Sequence, residues 1–178
     1  MKSYLEIQVP LNYDSPWFVE LRNILNGMPV KWQIGYFHIT MAFINETPEN
    51  IDLRPILEKY LTKFQAPSIT FDKLDAFTTY SGMFIVHLTS TIIPDDFLVL
   101  TEAIRSEMKA VGCQIDSEFR LHVALGRIND IDLTLPNLQD LVSSVSLKPF
   151  TLKLTCVDYR VFRGQVIYET KLSNNKTN

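Results

Sequence analysis

Alternation of apolar and polar residues with a period of two recurs along this chain, and it restricts the fold to sheets with one buried and one mixed face. In SYLEIQV (3–9), Leu5, Ile7 and Val9 point one way and Tyr4, Glu6 and Gln8 the other. In WQIGYFHITMAFI (32–44), Phe37, Ile39, Met41 and Phe43 oppose Tyr36, His38, Thr40 and Ala42. In GMFIVHLTS (82–90), Phe84, Val86 and Leu88 oppose Ile85, His87 and Thr89, and in EFRLHVALGRI (118–128), Leu121, Val123 and Leu125 oppose His122, Ala124 and Gly126. Each strand keeps its polar residues together on one side.

Helical patterns separate the strands. DSPWFVELRNILNG (14–27) has Asp14 or Ser15 to cap it, Pro16 early and Gly27 to stop it; TPENIDLRPILEKYLTKF (47–64) carries a capping signal at Thr47, with Pro55 limiting where its regular part begins. PDDFLVLTEAIRSEMKAVG (94–112) opens on Pro94 and two aspartates, carries a stripe of Phe97, Leu100, Ile104 and Met108, and ends on Gly112. LPNLQDLVSSV (135–145) is shorter. Segments 68–80 and 82–90 read as a hairpin turning at Ser81-Gly82, 150–162 and 165–172 as another through Arg163-Gly164, and SNNKTN as a frayed polar tail.

The resulting order, β-α-β-α-β-β-α-β-α-β-β, predicts an α+β protein, with the 178 residues forming a single domain of two lobes. Strand, helix, histidine strand, helix and hairpin in the first half are followed by helix, histidine strand, helix and hairpin in the second. The expected architecture is a pseudo-twofold pair of antiparallel sheets with helices on the outer faces and a central groove carrying both histidine strands.

Bulk properties exclude several roles. A net charge of −3 and a pI of about 5.6 provide no field for long nucleic acid or anionic membranes. The opening MKSYLEIQVP has no signal-peptide pattern and no window approaches a transmembrane length, so a cytoplasmic, monomeric protein is expected. Cys113 and Cys156 are too few and too far apart for a metal or redox motif.

The chain has three histidines, and two of them stand in matching sentences, His38-Ile39-Thr40 and His122-Val123-Ala124. Two imidazoles facing one cavity suit a phosphodiester: one accepts the nucleophile's proton, the other protonates the leaving oxygen. A hydroxyl two residues on shares the strand face and reaches a non-bridging phosphate oxygen. These motifs, with the Met41-Ala42-Phe43 and Leu125-Gly126-Arg127 that follow them, resemble those of the two-histidine (2H) phosphoesterases, which include 2'-5' RNA ligase-like proteins and cyclic phosphodiesterases. The element order is similar too, over nearly the whole chain.

That resemblance implies His38 and His122 as acid and base, Thr40 as a phosphate-contacting hydroxyl, and metal- and cofactor-independent action on 2',3'-cyclic phosphates or 2'-5' linkages of nucleotides or RNA ends. Ala124 stands where the family has Thr or Ser, and one missing hydrogen bond predicts a rate about ten- to a hundredfold lower. Tyr36, Arg163 and His87 are the candidates to substitute for it in substrate binding. A non-catalytic nucleotide or RNA-end binder on the same fold is the alternative. A metal site of His38, His87 and His122 has no aspartate or cysteine at ligand spacing to complete it.

Overall fold

A computed structural model describes residues 2–116, 118–130 and 132–174. The strands are β1 (Ser3–Val9), β2 (Val30–Trp32), β3 (Phe37–Glu46), β4 (Ser68–Phe71), β5 (Lys73–Thr78), β6 (Phe84–Thr89), β7 (Gln114–Ile115), β8 (Val123–Ile128), β9 (Phe150–Lys153), β10 (Cys156–Val161) and β11 (Val166–Lys171). The helices are α1 (Pro16–Ile24), α2 (Arg54–Leu61), α3 (Asp95–Ala110) and α4 (Leu135–Ser143). This is the expected α+β order with short strands added.

Nine strands form one sheet in the order β11-β10-β1-β3-β8-β6-β5, with β2 beside β8 and β7 beside β3, and β4 and β9 form a separate ribbon. Every registered pair is antiparallel. The two halves of the sheet meet where β3 lies against β8 at the single registered pair Ile39–Val123. The two histidine strands are therefore adjacent at the centre.

Helices cover the apolar face. Phe18 of α1 packs edge-on against Trp32 and Phe37, and Phe97, Leu100, Ile104 and Met108 of α3 are buried as their spacing predicts. Gly112 ends α3 at φ +94°, a conformation glycine adopts without penalty. No helix among the described residues is long and apolar enough to cross a membrane.

Several boundaries differ from the pattern-based expectation. Helix α2 starts at Arg54, not near Thr47, because Pro55 fits only the first turn; Asp52, through its carboxylate, accepts from the Arg54 backbone N–H at 3.0 Å. Segment 68–80 is two strands split at Asp72, whose carboxylate accepts from the backbone N–H of Thr91 at 2.8 Å and lets the chain pass from the ribbon into the main sheet. Segment 150–162 likewise divides into β9 and β10. Both expected turns form, with Gly82 at φ +80° and Arg163 in the left-handed region at φ +57°. Of the polar tail, Ser173 bridges to Gln65, and 175–178 lie outside the described residues.

Candidate functional site

The Ile39–Val123 pair fixes the geometry of both motifs. In an antiparallel ladder its neighbours are Thr40 opposite His122 and His38 opposite Ala124, and all four side chains leave the sheet on the same side. They form a two-by-two block on the face away from the helices. His122 itself sits immediately before β8.

Two β-bulges complete this face. Leu5 pairs with Ala42 but Glu6 pairs with Thr40, so Met41 is the extra residue of β3. The bulge turns Ala42, expected beside His38, into the core against Leu5, and brings Phe43, expected inward, out to stack on Tyr4. On the other side Val86 pairs with Gly126 but His87 pairs with Ala124, which makes Leu125 the extra residue of β8. Both bulges lie within three residues of a histidine of the repeat.

His122 is anchored through Nδ1, 3.0 Å from the Arg120 carbonyl oxygen. With the proton on Nδ1 donated to that carbonyl, neutral His122 keeps an unprotonated Nε2. Burial lowers its pKa, partly offset by the carbonyl. Its ring meets the edge of Phe77 at 5.2 Å and of His87 at 5.8 Å. A pocket of about 500 Å³ opens beside it, lined by Phe77, Tyr80, Asp116, Glu118 and Arg120. Tyr80 is fully exposed at its rim.

His38 lies between Tyr4, stacked at 6.1 Å, and Tyr36, tilted at 5.3 Å. Its Nδ1 is sealed from solvent without a partner, and Nε2 is 3.4 Å from a Glu6 carboxylate oxygen. Burial, reinforced by His122, Arg160 and Arg127, pushes its pKa down to about 4. At neutral pH this imidazole is uncharged.

Glu6 was expected on a wet face, yet it is fully buried. It accepts the Tyr36 hydroxyl proton, pairs with Arg160 Nε at 3.1 Å and lies opposite buried Asp158 across β1 and β10. Asp158 accepts from Gln8 at 2.8 Å and from Tyr36 at 3.3 Å. The Arg160 guanidinium also lies 5.0 Å over the Tyr36 ring. Burial pushes the Glu6 pKa up to about 7, more than the Tyr36 hydrogen bond and Arg160 offset it.

That shift has a measurable sign. A buried acid with a raised pKa stabilises the fold fully below its unfolded value near 4.5 and loses this contribution as pH rises through about 7. Relative to Glu6→Gln, the wild type therefore loses about 3 kcal/mol of unfolding free energy between pH 4.5 and 8. Urea unfolding of both proteins at the two pH values measures the difference, which cancels any constant cost of the substitution. An equal gap at both would contradict it.

Of the other sequence candidates, Tyr36 is half-buried and committed to Glu6 and Asp158, which leaves its hydroxyl engaged. Arg163 occupies the tip of the β10–β11 turn, 5.1 Å over the Phe162 ring. The cations acting on His38 are instead Arg160 and Arg127. Arg127 shares a 3.4 Å contact with Gln33. Glu6, Asp158 and Arg160 carried no local signal, because their partners come from strands about 150 residues apart. Among the described residues, the one group able to hold a metal ion is Cys156, Asp158 and Glu169, and it contains no histidine.

No protein-family model and no curated protein sequence matches the chain. Solved structures do. The chain superposes on E. coli LigT complexed with 3'-AMP with a TM-score of 0.58 at 17% identity, covering 97% of both chains. It superposes on Kluyveromyces marxianus Usb1 with a TM-score of 0.65 at 14% identity, covering 96% of this chain and 98% of that one. The chain has the fold of LigT and Usb1. The Usb1 structure with uridine monophosphate is matched at 0.60 and 13% identity, over 96% of this chain and 98% of that one. Within this fold, the paired motifs of this chain fall on β3 and at the start of β8, the two central strands, on the face left free by the helices.

Proposed function

We propose that this chain is a metal-independent phosphoesterase in which His38 and His122 act as a general acid/base pair on a 2',3'-cyclic phosphate or a 2'-5' phosphodiester of a nucleotide or RNA end. The observation that carries the reading is the Ile39–Val123 register, which sets His38, Thr40 and His122 around one point of the sheet. His122, with Nδ1 held by the Arg120 carbonyl, is suited to take the proton of the attacking water or hydroxyl at Nε2. His38, uncharged in the free site, takes up a second proton as the negative charge of the phosphate enters the groove, with Glu6 beside Nε2 as its counter-charge, and then serves the leaving oxygen. As the P–O bond breaks, the proton passes to the departing oxygen. Thr40 binds a non-bridging oxygen.

The bound 3'-AMP and uridine monophosphate of the two structural neighbours support a nucleotide ligand. The pocket beside His122, with Phe77, Tyr80 and Arg120, offers aromatic faces and a cation for a base and its phosphate. The acidic net charge favours small nucleotides or RNA ends over long RNA, and a soluble monomer in the cytoplasm fits the same reading. Ala124 favours a second reading, a nucleotide or RNA-end binder with turnover reduced or lost.

A turnover panel of nucleoside 2',3'-cyclic phosphates and 2'-5' diadenylate, with EDTA present and 3'-AMP binding measured in parallel, separates the two. Turnover resistant to EDTA is expected. Binding of 3'-AMP without turnover of any compound would establish the binder, and loss of turnover in EDTA would remove metal independence.

A further inference from the structure

Three charged side chains, Asp116, Glu118 and Arg120, stand in the wall of the pocket beside His122. At about 500 Å³ the pocket has the size of a small-ligand site, and because His122 is part of its lining, whatever fills it abuts the reacting centre. Asp116 is already committed, since Oδ1 accepts from Arg105 at 3.0 Å and from the Phe43 backbone N–H at 3.1 Å. Glu118 and Arg120 are exposed, and among the described residues neither forms an ion pair.

Arg120 lies with its guanidinium 5.0 Å over the Phe77 ring, and the edge of that ring meets His122 at 5.2 Å. The guanidinium plane and the fully exposed Tyr80 ring at the rim are two surfaces on which a flat heterocycle stacks. The charge of the lining decides which part of a nucleotide goes there. Two carboxylates outnumber the one guanidinium, so the lining disfavours a phosphate, which stays with the histidines, and favours ring N–H groups, because a carboxylate only accepts. Guanine alone among the four RNA bases presents two adjacent donors, N1–H and the N2 amino group, spaced for the two oxygens of one carboxylate. Adenine and cytosine set an amino donor beside a ring-nitrogen acceptor. Uracil flanks its one N–H with two carbonyls.

We infer that the pocket beside His122 is a guanine-selective base site, in which Glu118 reads the base edge and Arg120 and Tyr80 stack on its faces. The nucleoside on the His122 side of the phosphate is then guanosine. The assignment rests on the two-histidine reading proposed above and narrows its substrate from any nucleotide to a guanine-bearing one.

The test is kcat/KM on the four nucleoside 2',3'-cyclic phosphates, with affinity for 3'-GMP, 3'-AMP and 3'-UMP, in the wild type, Glu118→Gln and His38→Ala. Glutamine keeps the size of the side chain but offers one acceptor and one donor, the complement of adenine's edge. The wild type is expected to favour guanosine over uridine by about ten- to a hundredfold and over adenosine by about tenfold, and Glu118→Gln to lower the guanosine-to-adenosine ratio by about tenfold. A change in that ratio is the readout, because a residue that only supported the fold would lower all four rates together. Equal rates for the four bases, or a ratio unchanged in the glutamine protein, would overturn the assignment. Should Glu118→Gln not fold, the wild-type affinities decide: 3'-UMP or 3'-AMP bound as tightly as 3'-GMP contradicts guanine selection. His38→Ala separates the two readings. Full activity in that variant removes the two-histidine mechanism, with the base preference still read from the affinities; turnover that needs His38 but ignores the base removes the guanine assignment alone. A protein that binds none of the three 3'-nucleotides and turns over none of the cyclic phosphates removes both.

Discussion

Alanine in place of His122 is expected to lower kcat/KM by about 10²- to 10⁴-fold while leaving the unfolding midpoint close to that of the wild type. His122 loses little packing on truncation, because it sits before β8 on the groove face, whereas Val123 and Leu125 beside it carry the burial. His38→Ala is expected to cost a similar factor. If the two imidazoles act on one phosphate in one transition state, the double variant loses scarcely more than either single one, since residues that work as a unit are not additive. Losses that multiply in the double variant would show two independent contributions instead.

The largest expected effect on stability lies behind the site. Arg105 of α3 is almost completely buried, with its guanidinium donating to the Met41 carbonyl at 3.1 Å, to the Asp116 carboxylate at 3.0 Å and to the Asp116 carbonyl at 2.7 Å. The same carboxylate accepts from the Phe43 backbone N–H at 3.1 Å. One side chain thus ties α3 to the bulge of β3 and to the segment that leads into His122. Arg105→Ala removes the cation and leaves three acceptors short of a donor, at a cost of about 3 to 5 kcal/mol. Urea unfolding measures it, and a change under 1 kcal/mol would show that water fills the place of the guanidinium. Because Asp116 also lines the pocket beside His122, any folded variant at this position is expected to lose activity as well.

Much of this molecule is legible from local pattern. The stripe of Phe97, Leu100, Ile104 and Met108 specifies α3, glycine at 112 ends it, and the repeated His-x-Thr and His-x-Ala sentences fall on the two strands that meet at the centre of the sheet. Strand parity correctly places His38, Thr40 and Ala124 on one face, because a period of two is local. It fails at Ala42 and Phe43, which a bulge at Met41 exchanges, since a bulge is decided by which strand lies alongside. Arg105 has the same character. Nothing in the helix pattern distinguishes it from a solvated arginine, and its burial follows from a carbonyl and a carboxylate contributed by β3 and residue 116.

Glu6 shows the same limit at the site itself. Read along β1 it is an outward polar residue, and only the arrival of Tyr36, His38 and Arg160 from three other segments converts it into a buried acid with a pKa near 7. The proposed catalytic pair is visible in the sequence because its motif is repeated. The residues that set its electrostatics are scattered, each one ordinary in its own strand.

The most direct test of the account follows adenosine 2',3'-cyclic phosphate by phosphorus NMR in the presence of EDTA, with the wild type and the His38→Ala/His122→Ala protein side by side. The account predicts that the wild type converts the cyclic diester to a single monoester resonance and that the double variant leaves the cyclic resonance unchanged over the same time. Conversion at equal rates by both proteins would contradict it.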